Sequence, residues 1–397
     1  MLSRLIYRML TETSPRLLWK FCWNFSWKGM QAVKAFEKRK KKGEHFPAFM
    51  VISLTNSCNL SCQGCWVSGS NPPKTLSLEQ LDNIINECKK RGSFFFGLLG
   101  GEPLLYPHLT ELIGKHPDCY FQIFTNGTLL TREVAKEFRQ LGNVSPLISI
   151  EGKDSIADVR RGGKEVYRNA LQALDNCAAE KLITGVATSV CQSNFDDLVS
   201  REFVDEVIKR KVQYLWYYIY RPVGPQPCPE LALDSEQITA LRQFMVDVRC
   251  SAPIMIVDAY WDAQGNAVCP GAMGLSHHLN PAGQIEFCPP LQFSKDQISD
   301  GSDIGDILEN STFLKEFREF TTDCGRGCII LNDPVALREF LTKHNADDSS
   351  GRGAADAELA AMQILPCHHI PDVQIPEKHW MYRLAKKYFF FGFGAYG

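Results

Sequence analysis

The chain has 397 residues, 45% of them apolar, enough to bury one large domain and a smaller one. A net charge of −2 gives nucleic acid no electrostatic claim as a partner. Its 15 cysteines, an odd number with no secretory signal before them, exclude a disulfide framework. No stretch reaches the ~20 apolar residues of a membrane-spanning helix, so the sequence reads as cytoplasmic or facing the cytoplasm.

Residues 1–46 carry eleven Lys/Arg against three Glu, a local +8 that leaves −10 for the remainder. This basic arm predicts one or two amphipathic helices. Ser14-Pro15 suits a helix start, and Leu18, Phe21, Cys22, Phe25, Ala32, Val33 and Phe36 recur on one face. Trp19, Trp23 and Trp27 form an adjoining stripe ahead of the basic run 38–42. Indoles beside an apolar face with basic flanks suit a helix lying in a membrane interface. The competing reading packs the helix on the protein's own body.

From Phe49 onward strands alternate with helices. Strands are expected at Phe49–Thr55, Phe94–Leu99, Tyr120–Thr125, Pro146–Ile150, Ile183–Val190 and Val212–Tyr220. Between them fall a helix opened by the capping-box pair Ser77 and Gln80, and helical patterns at 132–141, 165–180 and 195–210. Such alternation implies an α/β fold with parallel strands joined by right-handed crossovers. After Pro225 the alternation weakens. Residues 230–250 read as helix, 251–370 as loop-rich, and 345–357 as an exposed flexible loop. The end, with Trp380, Lys386, Lys387, Phe389, Phe390, Phe391 and Phe393, is again aromatic and basic.

Cys58, Cys62 and Cys65 stand as C-x3-C-x2-C directly after the first strand. Three thiolates can hold three irons of a 4Fe–4S cluster and leave the fourth open. A zinc site usually closes with a fourth ligand and a ferredoxin-type site with a nearby fourth cysteine, and none follows before Cys88. A zinc knuckle or three unrelated cysteines are the alternatives. Gly100-Gly101-Glu102-Pro103 ends the second strand, where two glycines admit a ligand close to the backbone and a carboxylate suits an ammonium. Asn126-Gly127, Ser149-Ile150-Glu151-Gly152 and Thr188-Ser189-Val190 end the next three, with Arg160 and Arg161 between. Taken singly, each reads equally as a strand-end cap or a surface salt bridge. Further on, Cys269 and Cys288 flank Gly283 as C-x13-G-x4-C, Cys324 and Cys328 stand as C-x3-C, and Cys367 comes last.

The cysteine loop with Gly-Gly-Glu-Pro about forty residues downstream resembles the signature of the radical S-adenosylmethionine (SAM) superfamily. The C-x13-G-x4-C spacing resembles the opening of that family's SPASM or twitch extensions. The resemblance implies a partial (β/α)6 barrel at 47–225 and a smaller, loop-rich cluster-binding domain at 226–370, flanked by the 1–46 arm and a 371–397 tail. It implies a catalytic 4Fe–4S cluster on Cys58, Cys62 and Cys65, and SAM held by Gly100, Gly101, Glu102, Ser149, Glu151, Arg161 and Ser189. Glu151 stands where the family commonly has Asp, one methylene longer with the same charge. One auxiliary 4Fe–4S cluster is expected on Cys269, Cys288, Cys324 and Cys328, with Cys367 a substitute ligand or free. The implied chemistry is reductive cleavage of SAM, fed by an external low-potential electron donor, to a 5′-deoxyadenosyl radical that abstracts hydrogen from substrate. The substrate expected first is a lipid or other amphiphile reached from the membrane surface by way of the two termini. The alternative is a peptide or protein, and the reading from another class is a non-catalytic, membrane-docked iron–sulfur electron-transfer or scaffold protein.

Overall fold

The computed structural model describes residues 1–67, 72–258, 260–299, 302–324 and 327–388. Seven parallel strands follow one another in space: β1 (Phe49–Thr55), β2 (Phe95–Gly100), β3 (Tyr120–Thr125), β4 (Val144–Ser149), β5 (Gly185–Val190), β6 (Tyr214–Ile219) and β7 (Met255–Val257). On the other side of β1 lies β8 (Ser276–Leu279), parallel to it, then β9 (Gln284–Glu286) antiparallel to β8. β10 (Phe293–Ser294) pairs with β12 (Asp347–Asp348), while β11 (Asp296–Gln297) ends the main sheet beside β9. The sheet is open, with ten strands in the order β11-β9-β8-β1-β2-β3-β4-β5-β6-β7.

Six strands are thus extended by β7, β8, β9 and β11, all from the region read as loop-rich. These strands have two to four residues each, too few to show an alternation. The 345–357 segment corrects a second expectation in part: Asn345, Asp347 and Asp356 are exposed as expected, but the segment's middle turns inward. Ser349 is buried and donates to Glu286, Asp348 accepts from the Ala355 N–H at 2.8 Å, and Arg352 reaches the Trp66 carbonyl at 2.9 Å.

The sheet's two faces bury different partners. Met50, Ile52, Leu54, Phe96, Phe121 and Ile148 point outward under the helices, which include the capped helix Leu78–Lys90. Phe49, Val51, Phe95, Tyr120, Leu147 and Trp216 point into the concave face and meet Ala32, Val33 and Phe36 from the N-terminal arm. The arm runs as Leu2–Glu12, Pro15–Lys20, a wider π turn Phe21–Trp27 and Lys28–Lys40. Its apolar stripe therefore packs on the protein's own sheet. Phe21 meets Tyr120 at 5.6 Å and Phe25 meets Phe95 at 4.9 Å, both edge-on. Full burial of Phe36 alone is worth about 2–3 kcal/mol.

The arm's polar residues cap the chain where it enters each strand. Arg8 donates to the Pro253 carbonyl at 2.7 Å and the Val212 carbonyl at 2.9 Å, below β7 and β6. Lys20 reaches the Leu141 carbonyl below β4, Asn24 that of Cys119 below β3, and Arg39 that of Arg91 below β2. The arm closes the end of the sheet opposite the strand C-termini. The indoles of Trp19, Trp23 and Trp27 stay outside, 67%, 48% and 48% exposed, stacked in a row with centroids 6.1 and 6.4 Å apart.

At the β7 edge the C-terminal helix Trp380–Tyr388 docks through Tyr382, whose hydroxyl accepts from the Ile256 N–H at 2.8 Å, and through Lys386 on Asp258 at 3.0 Å. Phe389, Phe390, Phe391 and Phe393 lie outside the described residues. Among the described residues no helix is long and apolar enough to cross a membrane.

Candidate active site

The C-terminal ends of β1 to β6 converge on the loop that carries Cys58, Cys62 and Cys65. Neighbouring backbones press on this loop. A Cβ at Gly101 would lie 2.1 Å from the Ser57 carbonyl oxygen, at Gly162 2.2 Å from that of Ser61, and at Gly224 2.6 Å from that of Cys65. Gly162 and Gly224 also have positive φ, so any side chain there would strain the backbone and displace the cysteine loop. The turn after β3 braces the same loop: the Asn126 amide donates to Asn59 at 2.8 Å, and the Asn59 amide to Thr128 at 2.7 Å.

The residues expected around SAM separate into two groups. Gly100 and Gly101 form the turn after β2, with Gly101 N–H on the Thr55 carbonyl. Glu102 is buried, and both its oxygens are occupied, by Thr125 hydroxyl at 2.7 Å, Asn126 N–H at 2.8 Å and Leu104 N–H at 3.0 Å. It knits the β2 and β3 ends together, and burial raises its pKa above the ordinary carboxylate value. Ser149, Glu151, Arg161 and Ser189 stand together in the wall of one cavity. There Glu151 accepts from the Ser189 N–H at 3.0 Å and from Arg161 at 3.2 Å, and Arg161 also donates to the Cys62 sulfur at 3.5 Å. Arg160 instead lies over the Tyr220 ring.

That cavity, of about 310 Å³, also holds the second sulfur set. Cys62 and Cys65 line one part, and Cys269, Cys288 and Cys328 another. The last three lie within electrostatic reach of one another. Burial pushes the Cys269 thiol up to about 11 and raises Cys288 as well, so both need a strong electrophile to bind as thiolates. Cys324 is exposed at the end of the helix Thr312–Asp323 and is not among the residues lining the cavity. Cys367 is buried beside Cys328: its sulfur accepts from the His369 N–H at 3.2 Å and lies 2.6 Å from where a Gly327 Cβ would stand.

The same cavity is lined by apolar Val51, Leu99, Phe124 and Ala187. Tyr218 lines it and Tyr217 does not; the latter turns outward to donate to the Leu198 carbonyl at 2.9 Å. Two further lining residues, Arg221 and His278, were not among the site residues expected from the sequence, although the pair His277-His278 could be read there as metal ligands or proton carriers. Arg221 lies just beyond the end of β6. His278 on β8 is clamped between Ser53 at 2.7 Å and Glu286 at 2.6 Å, with the Trp66 ring edge-on at 5.3 Å.

Among the described residues no three His, Cys, Asp or Glu converge on a point, as a single metal ion would need. Cubic iron–sulfur clusters fit better, since they spread their ligands around corners and take thiolate donors. An open parallel sheet with three cysteines after its first strand and a Gly-Gly-Glu turn after its second is the frame of a SAM-binding iron–sulfur protein. Residues 52–199 match the model of the radical SAM superfamily.

The chain is 31% identical to the sporulation killing factor maturation protein SkfB of Bacillus subtilis (strain 168) over 157 residues, 39% of this chain and 38% of that protein. The chain thus matches less than half the length of that relative. It is 29% identical to mycofactocin maturase MftC of Mycolicibacterium smegmatis over 314 residues, 73% of this chain and 77% of that one. Among solved structures, Streptococcus suis SuiB bound to precursor peptide SuiA matches with a TM-score of 0.61 at 16% identity, over 73% of this chain and 71% of that chain, a likeness of fold.

Proposed function

We propose that the chain is a radical SAM enzyme that modifies a peptide or protein, binding one catalytic 4Fe–4S cluster through Cys58, Cys62 and Cys65 and one auxiliary cluster through Cys269, Cys288 and Cys328. The observation that carries this is the single cavity lined by Cys62 and Cys65 of one sulfur set and by Cys269, Cys288 and Cys328 of the other, with apolar residues in its wall. When bound, cluster and SAM supply the 5′-deoxyadenosyl radical. The chain's own residues hold and orient. Gly100 and Gly101 offer their backbone, Ser149, Glu151 and Ser189 form a polar wall, and Arg161 places a positive charge on the Cys62 sulfur. The fourth auxiliary ligand comes from Cys324 or Cys367, of which Cys367 has the buried position beside Cys328.

Peptide replaces lipid as the substrate class for two reasons. The lipid reading rested on two amphipathic termini, and the apolar stripe of the N-terminal one is spent on the sheet. SkfB and MftC are named for maturation, and SuiB was crystallised with a precursor peptide. The test is anaerobic reconstitution with iron and sulfide, then dithionite, SAM and peptides encoded beside the gene. The expected result is 5′-deoxyadenosine, about eight irons per chain and a mass change in one peptide. A fully loaded chain that forms deoxyadenosine only when given lipid vesicles would overturn the substrate class.

The exposed indole row favours a second statement, about location: the arm rests on an anionic membrane surface. Trp19, Trp23 and Trp27 present stacked rings to solvent, and exposed Lys34, Lys38 and Lys41 follow at helical spacing. Co-sedimentation with phosphatidylserine vesicles is expected for the intact chain, weakened about tenfold or more when all three indoles become alanine. An intact chain that stays in the supernatant refutes it.

A further inference from the structure

Arg221 is a cation without an acidic partner. It is half-buried in the cavity wall, and among the described ion pairs none joins it to a carboxylate. Its Nε donates to the Cys328 sulfur at 3.3 Å, and its guanidinium lies 5.5 Å from the centre of the Tyr260 ring. Cys288 is its other sulfur neighbour. Tyr260 is itself fixed, because its hydroxyl accepts from the Ile219 N–H at 3.0 Å, in the last residue of β6. The chain of contacts therefore runs from the strand end through a phenol ring to a guanidinium and on to a sulfur.

Placing a guanidinium away from bulk water without a carboxylate partner is costly, and the cost is offset only by negative charge. Of the cavity's other arginines, Arg161 is paired with Glu151, whereas Arg160 reaches the Gln63 carbonyl and lies over the Tyr220 ring.

Building on the auxiliary-cluster reading above, we infer that Arg221 is the positioning residue of the auxiliary centre, donating to the Cys328 ligand sulfur so that the reduced, more negative form is favoured. Two consequences separate this from a packing role. With the centre present, loss of the guanidinium makes the centre harder to reduce. With the centre absent, loss of the guanidinium relieves an unpaired charge, so the iron-free chain becomes no less stable. A packing residue would instead destabilise both forms.

The experiment uses the full-length chain with Cys58, Cys62 and Cys65 all changed to alanine, so that the auxiliary centre is the sole source of signal. Arg221, Arg221→Gln and Arg221→Lys forms are reconstituted anaerobically and titrated by electron paramagnetic resonance. At the potential where the Arg221 form is half reduced, the reduced-to-oxidised ratio in Arg221→Gln is expected to fall about tenfold, equivalent to about 59 mV for a one-electron couple. Arg221→Lys is expected to recover part of that shift. The iron-free Arg221→Gln chain is expected to melt at or above the temperature of its parent. An unchanged potential, or an iron-free variant that melts lower, overturns the inference. If the Arg221 parent assembles no centre at all, the auxiliary-cluster reading fails first and this inference falls with it.

Discussion

Alanine at Cys58, Cys62 or Cys65 is expected to cut 5′-deoxyadenosine formation by about a thousandfold or more, to background, and to remove about four irons per chain. No spare thiol stands ready. Cys88, the next in sequence, is fully buried under the outer face of the sheet, and burial raises its thiol far above the ordinary value. Among the other cavity sulfurs, Cys269, Cys288 and Cys328 are already grouped around Arg221. The iron that remains in the variants should therefore report the auxiliary set. Anaerobic iron analysis beside a chromatographic assay of deoxyadenosine checks both halves. A single-alanine variant that kept full turnover would move the catalytic site elsewhere.

Asp258→Asn is expected to cost about 3–5 kcal/mol of stability. Five charged side chains meet out of solvent at the β7 edge: Arg242, Arg249 and Lys386 against Asp258 and Glu377. Asp258 touches all three cations and also accepts from the N–H groups of Tyr260 and Trp261 at 3.1 Å. Its loss leaves three buried cations facing one carboxylate. Burial alone would raise the Asp258 pKa, but Lys386, Arg249 and Arg242 hold it well below the ordinary value. Its contribution is therefore complete above about pH 4 and is lost only as pH falls through that lower folded value. Urea midpoints at neutral pH measure the cost. Arg338→Ala, which breaks an exposed pair with Asp356 at 2.8 Å, is the comparison and should cost less than about 1 kcal/mol. Equal effects from the two substitutions would mean that the buried network carries no special weight.

What the sequence disclosed follows the range over which each signal acts. β1 and β3 begin and end where their apolar runs do, and Ser77 caps its helix as its spacing with Gln80 implies. These are local signals. The strands β7 to β9 were hidden because Ser276-His277-His278-Leu279 has no period, and its place in the sheet is fixed by β1, more than 200 residues earlier. The 345–357 segment read as solvent-loving because Ser, Asp and Gly usually are. Here the partners that draw them inward, Glu286 and Trp66, are distant in sequence.

The site divides the same way. The cysteine loop and the strand-end turns announce themselves, and the structure brings Glu151, Arg161 and Ser189 together. Arg221 carried no readable signal and His278 only the ambiguous one of an adjacent histidine pair, since their partners are Cys328, 107 residues on, and Ser53, 225 residues back.

The N-terminal arm sets a timetable for folding. It leaves the ribosome before the sheet does, yet Arg8 finds its acceptor at Pro253, 245 residues later, and Lys20 at Leu141, 121 residues later. None of those carbonyls is in place until the strands above them have paired, so the arm docks late although it is made early. Until then Phe21, Phe25 and Phe36 are exposed apolar surface beside a row of indoles. Contacts of such long sequence separation slow folding and leave the nascent chain open to aggregation. The basic charge of this segment, +8 within 46 residues, then has a use that needs no ligand. It keeps unfinished chains apart by mutual repulsion until the sheet is ready to receive the arm.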